Sequence, residues 1–248
     1  TMEYEKLLAG AQIDFEGGKY TISQMGTFKN DIDDARRKAA FCAEGKWFKD
    51  NQEKLDDLYD KLVKLRDTMG KKLGYGGYTP LGYYRMDRNC YTKEDIEKFR
   101  GAVVKYVVPV ADRIYRKQAE RLGAAYPLSY SDMVLSFRGG NPKPAGDKDY
   151  LVAAGKKFYD ALSPETSEFF STMIEDELMD LESTEGKRGG GYCTAIPDYK
   201  VPFIFANFNG TMGDVDVITH EAGHAFEAWM NRSRIPMMYV WPGVEAAE

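Results

Sequence analysis

Both histidines of this chain fall within five residues, His220-Glu221-Ala222-Gly223-His224, and that spacing dictates the local structure. In a helix, at about 100° per residue, positions i and i+4 lie about 40° apart and project side by side. Two imidazoles on one face can bind a single Zn²⁺, and the Glu between them can act as a general base toward water.

The flanks support a helix over residues 214–229. Val215, Ile218, Ala222, Ala225, Phe226 and Trp229 form one apolar stripe, and Asp214, after Gly213, is the N-cap candidate. The stripe centres roughly 160–180° from the histidine pair. Asp216, His220, His224 and Glu227 share the opposite, polar face, with Glu221 on its flank. Asp216 and Glu227 are therefore candidates for orienting an imidazole N–H.

Catalytic zinc usually takes three protein ligands and a water. From His220 to Glu227 the helix rises about 10 Å, too far for the two to converge on one ion. The metzincin extension is excluded, because Glu227 and Met230 stand where it needs Gly and His. A third ligand must come from another element. Glu245 and Glu248 both qualify, in a terminal GVEAAE that reads as a helix beginning after Pro242 and Gly243.

Upstream, VPFIFANFNGT reads as a strand in which Phe203, Phe205, Asn207 and Asn209 alternate with Ile204, Ala206 and Phe208. One reading makes it a prop for the metal helix. The other makes it an edge strand beside a cleft, with Phe205, Ala206, Asn207, Phe208, Asn209 and Gly210 pairing with an extended peptide. GKRGGGYCT (186–194) is a flexible, basic run, and it lacks the GK[ST] ending and preceding strand of a phosphate loop.

The stretch 202–229, with GKRGGGYCT and YYRMDRNCYTKEDIEKFR (83–100), resembles the oligoendopeptidase F branch of the thimet-oligopeptidase family of zinc peptidases. The resemblance covers nearly the whole chain and is most specific at 202–229. It implies a mainly α, helical zincin-like metallopeptidase with a small antiparallel β element beside the HExxH helix. It also implies one Zn²⁺ as cofactor and oligopeptides as substrates, cleaved by water with Glu221 as base. In that family a Glu about two dozen residues after the second His opens the next helix as third ligand, a position matched by Glu248 better than by Glu245. Residues 1–182 are expected to be a helical region with a short hairpin at 13–22, part of a channel-forming shell. Residues 183–248 are expected to be the first part of the zinc catalytic domain. Family members run well past the third ligand, so a C-terminal part of the same protein is expected to complete the site. Thr1, without an initiator Met, reads as the start of an internal piece.

The rest of the chain fits a soluble domain. The net charge of −5, without a dense Lys/Arg cluster, argues against nucleic acid or an anionic membrane as partner. No apolar run approaches the roughly 18 residues that span a bilayer. The three cysteines, Cys42, Cys90 and Cys193, are scattered and outside CxxC spacing, which fits a reducing cytoplasm. Leu55, Leu58, Leu62, Leu65 and Met69 predict a core-facing helix, and residues 75–91 an aromatic, Gly-rich connection. A long helix capped by Thr92 and Asp95 follows. Its apolar face runs Ile96, Phe99, Val103, Tyr106, Val110 and Ile114, with a kink expected at Pro109. Residues 124–148 read as irregular, and Ser163 with Pro164 as a helix start. Two other functions share these residues: an HExxH metallocarboxypeptidase of similar helical fold, and a non-catalytic helical binding protein with structural zinc or none.

Overall fold

The computed structural model of the chain describes residues 1–233. Glu245 and Glu248 lie outside the described residues.

The first unit opens with α1 (Met2–Ala9) and a hairpin of β1 (Ile13–Phe15) and β2 (Gly18–Tyr20). Its turn falls on Glu16 and Gly17, with φ of 48° and 81°, the doubly positive signature of a type I′ turn. Arg36 clasps the Glu16 carboxylate through Nε and Nη2, each at 2.7 Å, and so ties the turn to α3 (Asp34–Asp50). Between them α2 (Ile22–Lys29) starts with a capping box of Thr21 and Gln24. Ile13, Phe15, Met25 and Ala40 form the buried centre of this unit.

The next helices are less covered than the sequence periodicity predicts. In α4 (Gln52–Lys72), Leu55, Leu58 and Leu62 are half-buried, while Leu65 is 59% and Met69 38% exposed, so the stripe does not face a closed core. It leans on α1, and its C-terminal end meets α5 (Tyr78–Arg85), a helix inside the aromatic, Gly-rich connection of residues 75–91. Buried Leu81 anchors α5. The Thr92–Asp95 box caps α6 (Lys93–Ala102), which passes through a π-helical turn at Val103–Val107 into α7 (Val108–Leu122). Pro109 sits in the first turn of α7, and the wider turn before it accommodates the missing N–H and the ring. Phe99, Tyr106, Val110 and Ile114 are all exposed, so this apolar face is also unburied among the described residues.

The segment after α7 has no regular element before residue 148. Gln118 holds it by donating to the carbonyls of Met133 and Leu135, and buried Arg37 by donating to the Ser131 carbonyl and the Asp132 carboxylate. Then α8 (Lys148–Leu162) and α9 (Pro164–Glu175) follow, the second capped by Ser163 with Pro164 in its first turn.

The last described unit carries β3 (Met179–Glu182), β4 (Tyr192–Ile196), β5 (Val201–Phe208) and α10 (Gly213–Asn231). The strand order is β3-β5-β4, with β5 parallel to β3 and antiparallel to β4. The sheet is thus mixed rather than wholly antiparallel, and β5 is its centre rather than its edge. Alternation along β5 buries Pro202, Ile204 and Ala206. Together with Phe169, Phe170 and Met173 of α9, Tyr159 of α8, and Ile218, Ala222, Ala225 and Trp229 of α10, Ile204 and Ala206 form the larger core. That core reaches back across residue 182. Among the described residues no helix is long and apolar enough to cross a membrane.

Candidate active site

The helix α10 has the predicted stripe, with two differences. Val215 is 38% exposed, and Glu221 is only 6% exposed on the buried side with Ile218, Ala222 and Ala225. A position on the flank of the stripe lets Glu221 turn in against the sheet while His220 and His224 stay on the open side.

Asp214 does not cap α10, which begins one residue earlier at Gly213. Its buried carboxylate reaches back to the β5–α10 turn and accepts the backbone N–H groups of Asn209 and Gly210. Burial raises its pKa, opposed by those two hydrogen bonds.

His220 and His224 stand with their rings nearly perpendicular, at 86°, and their Nε2 atoms 3.1 Å apart. With Zn–N bonds of about 2.0–2.1 Å, that separation subtends roughly 100° at a shared ion, close to the tetrahedral angle. The pair therefore fits one metal ion. Among the described residues no third metal-ligating side chain joins it. Neither Asp216, exposed, nor Glu227, half-buried, makes a described hydrogen bond to either imidazole.

Glu221 faces β4 and the glycine run before it. A β-carbon on Gly191 would stand 3.3 Å from Glu221 Oε1 and 3.2 Å from Val217 Cγ1, so glycine is what lets the loop lie against the carboxylate. One strand residue further on, burial, reinforced by the negative charge of Glu221, pushes the Cys193 thiol up to about 12. Cys193 is thus held neutral beside the site, as an inert thiol rather than a nucleophile.

The strand residues proposed from sequence divide differently. Phe205 stacks on Tyr192 at 5.0 Å under the Lys187 ammonium, Ala206 is buried, and Phe208 packs on the core. Asn207 donates to the carbonyls of Arg188 and Gly190, each at 2.8 Å, and pins the glycine loop. Asn209 lies beyond the strand: its side chain donates to the Ser23 carbonyl, and the Thr27 hydroxyl of α2 donates to the Asn209 carbonyl. Gly210 completes that turn with φ 80°. With β5 paired on both sides, the edge beside Glu221 that is unpaired among the described residues belongs to β4. The sequence signal for it was GGGYCT, glycines followed by a short alternating stretch that β-propensity alone does not raise above a loop.

Residues 157–248 match Peptidase family M3. The chromosomal oligoendopeptidase F of Lactococcus lactis subsp. cremoris is 31% identical over 113 residues, 46% of this chain and 17% of that protein. An oligoendopeptidase F homolog of Lactococcus lactis subsp. lactis is 26% identical over a stretch of the same length. The solved structure of PZ peptidase A with an inhibitor superposes with a TM-score of 0.97 at 47% identity, over 99% of this chain and 44% of that one. The chain thus spans less than half the length of these relatives.

Proposed function

We propose that this chain, whose residues 157–248 match Peptidase family M3, carries the core of a zinc endopeptidase site for short peptides. The observation that carries the reading is the pairing of two imidazole Nε2 atoms 3.1 Å apart with a buried carboxylate, Glu221, one residue along the same helix. His220 and His224 would hold the zinc as neutral imidazoles. Glu248 is our choice of third ligand, on the family pattern, ahead of Glu245. Asp216 and Glu227, on the histidine face, are our candidates for orienting an imidazole N–H.

A zinc ion bound there supplies Lewis acidity, lowering the pKa of water and polarising the scissile carbonyl. Glu221 accepts the proton that the attacking water loses and delivers it to the leaving amine nitrogen. Its burial keeps it beside the reaction rather than in bulk solvent. The free edge of β4 takes the substrate backbone as an added strand, which holds an extended peptide across Glu221. In this reading Phe205, Ala206, Asn207, Phe208, Asn209 and Gly210 support the site by pinning the loop and the turn.

The decisive variant is Glu221→Gln in the full chain. It is expected to keep its zinc and to lose at least about 10³-fold in kcat on a quenched fluorescent peptide. Wild-type turnover by the zinc-loaded variant would falsify the assignment. Cleavage inside a peptide blocked at both ends separates this activity from that of a carboxypeptidase.

A further inference from the structure

A second concave feature adjoins the site. It is a cavity of about 600 Å³ between α1, α4 and the glycine loop, with Tyr4, Leu8, Phe48, Tyr59 and Leu62 as its apolar wall and Arg66 among them. We propose that this cavity receives the carboxyl-terminal end of the peptide substrate, with Arg66 pairing with the free α-carboxylate. The inference rests on the peptidase reading and names the part of the substrate that this surface recognises.

Charge accounting selects Arg66. Of the basic groups that line the cavity from the loop, Lys187 is committed to the Asp180 carboxylate at 2.8 Å and the Glu182 carbonyl at 2.6 Å, and Arg188 faces Glu5 at 3.6 Å. Arg66 stacks over the Tyr78 ring at 5.6 Å and has no carboxylate partner among the described residues. Its planar fork is left to bind an anion, and a carboxylate matches it through two parallel N–H···O bonds. The aromatic and aliphatic wall provides for the side chains that precede that carboxylate.

Continuity with the site comes from the loop itself. Gly190 lines the cavity, and its neighbour Gly191 is the residue against Glu221. A peptide that leaves Glu221 along the loop therefore reaches the cavity within one residue, about 3.5 Å. Direction follows from strand polarity. The strand β4 runs from Tyr192 beside the loop to Ile196 away from it. A peptide added antiparallel to β4, as β5 already is, runs the other way and brings its carboxyl end to Gly190.

The test uses the full chain with Glu221→Gln, so that bound peptide persists, and two fluorescein-labelled heptapeptides of one sequence, one ending in a free carboxylate and the other in a carboxamide. Fluorescence anisotropy should give the carboxylate form roughly ten-fold tighter binding or more. Adding Arg66→Gln should level the two peptides, and Arg66→Lys should restore part of the difference. Equal affinities with Arg66 intact, a preference that survives Arg66→Gln, or no binding of either peptide each overturns the assignment. Hydrolysis of the same peptides with Glu221 restored tests the peptidase reading separately. A carboxylate preference without hydrolysis leaves the cavity assignment standing and removes the activity; hydrolysis without the preference does the reverse.

Discussion

The carboxylate of Asp214 accepts the backbone N–H of Gly210 at 2.7 Å, and its other oxygen that of Asn209 at 3.0 Å. This pair of bonds closes the turn that delivers α10 from the central strand. Asp214→Ala leaves both amides without an acceptor in a buried turn, and should cost about 2–4 kcal/mol of unfolding free energy in a urea titration. Asp214→Asn keeps one acceptor and should cost less.

Gly191→Ala should impair turnover more than stability. The new methyl would press on Val217 and Glu221 at 3.2 and 3.3 Å, and the carboxylate is the more mobile of the two. Displacing a general base by a fraction of an ångström should lower kcat about 10-fold or more, with KM and the melting temperature nearly unchanged. Steady-state kinetics beside a thermal melt checks this, and an unaffected kcat would place Glu221 away from the reacting water.

His220→Ala and His224→Ala should each abolish zinc retention through gel filtration, as measured by metal analysis of the protein peak. Each leaves a single imidazole where two now converge at 3.1 Å. Retention of zinc by the His224→Ala protein would mean that the pair is not the ligand core.

Acid should weaken the attachment of the irregular segment. A hydrogen bond from Ser129, aided by Arg37, holds the Asp132 carboxyl below its usual 3.8. A carboxylate with a depressed pKa stabilises the fold above its unfolded value, and that contribution is lost as pH falls below 3.8 through the folded value. With Asp132 still 19% exposed, the effect should be about 1 kcal/mol. Asp132→Asn should remove that much stability at pH 6 and progressively less as pH falls below 3.8, as read by denaturant unfolding at a series of pH values.

Much of the site was legible because its geometry is local. The i, i+4 histidines, the buried side of α10 and the caps at Thr92 and Ser163 all depend on neighbours within about one helical turn. The rank of β5 was not legible, because a strand's place in a sheet is set by partners far along the chain. Here those partners are Met179 and Tyr192, facing Ile204 and Phe205. Asp214 misled for a related reason: an Asp after Gly is a good cap, but the Asn209 and Gly210 amides of the preceding turn compete for its carboxylate and hold it. The stripe on α4 was expected to face the core, yet Leu65 and Met69 are exposed, as are Phe99, Tyr106, Val110 and Ile114 in the next helices. Periodicity shows that a face wants cover, and it cannot say whether residues within reach provide it.

That uncovered face from Phe99 to Ile114 governs how the polypeptide behaves at the bench. Phe99, Tyr106 and Ile114, each about 60% exposed among the described residues, lie along a rod thirty residues long, Lys93–Leu122, on which Val104, Val107 and Val108 are exposed as well. Preparations of these residues by themselves will cloud or self-associate as they are concentrated, and charged substitutions at Phe99 and Ile114 are the economical way to keep them in solution for every measurement above.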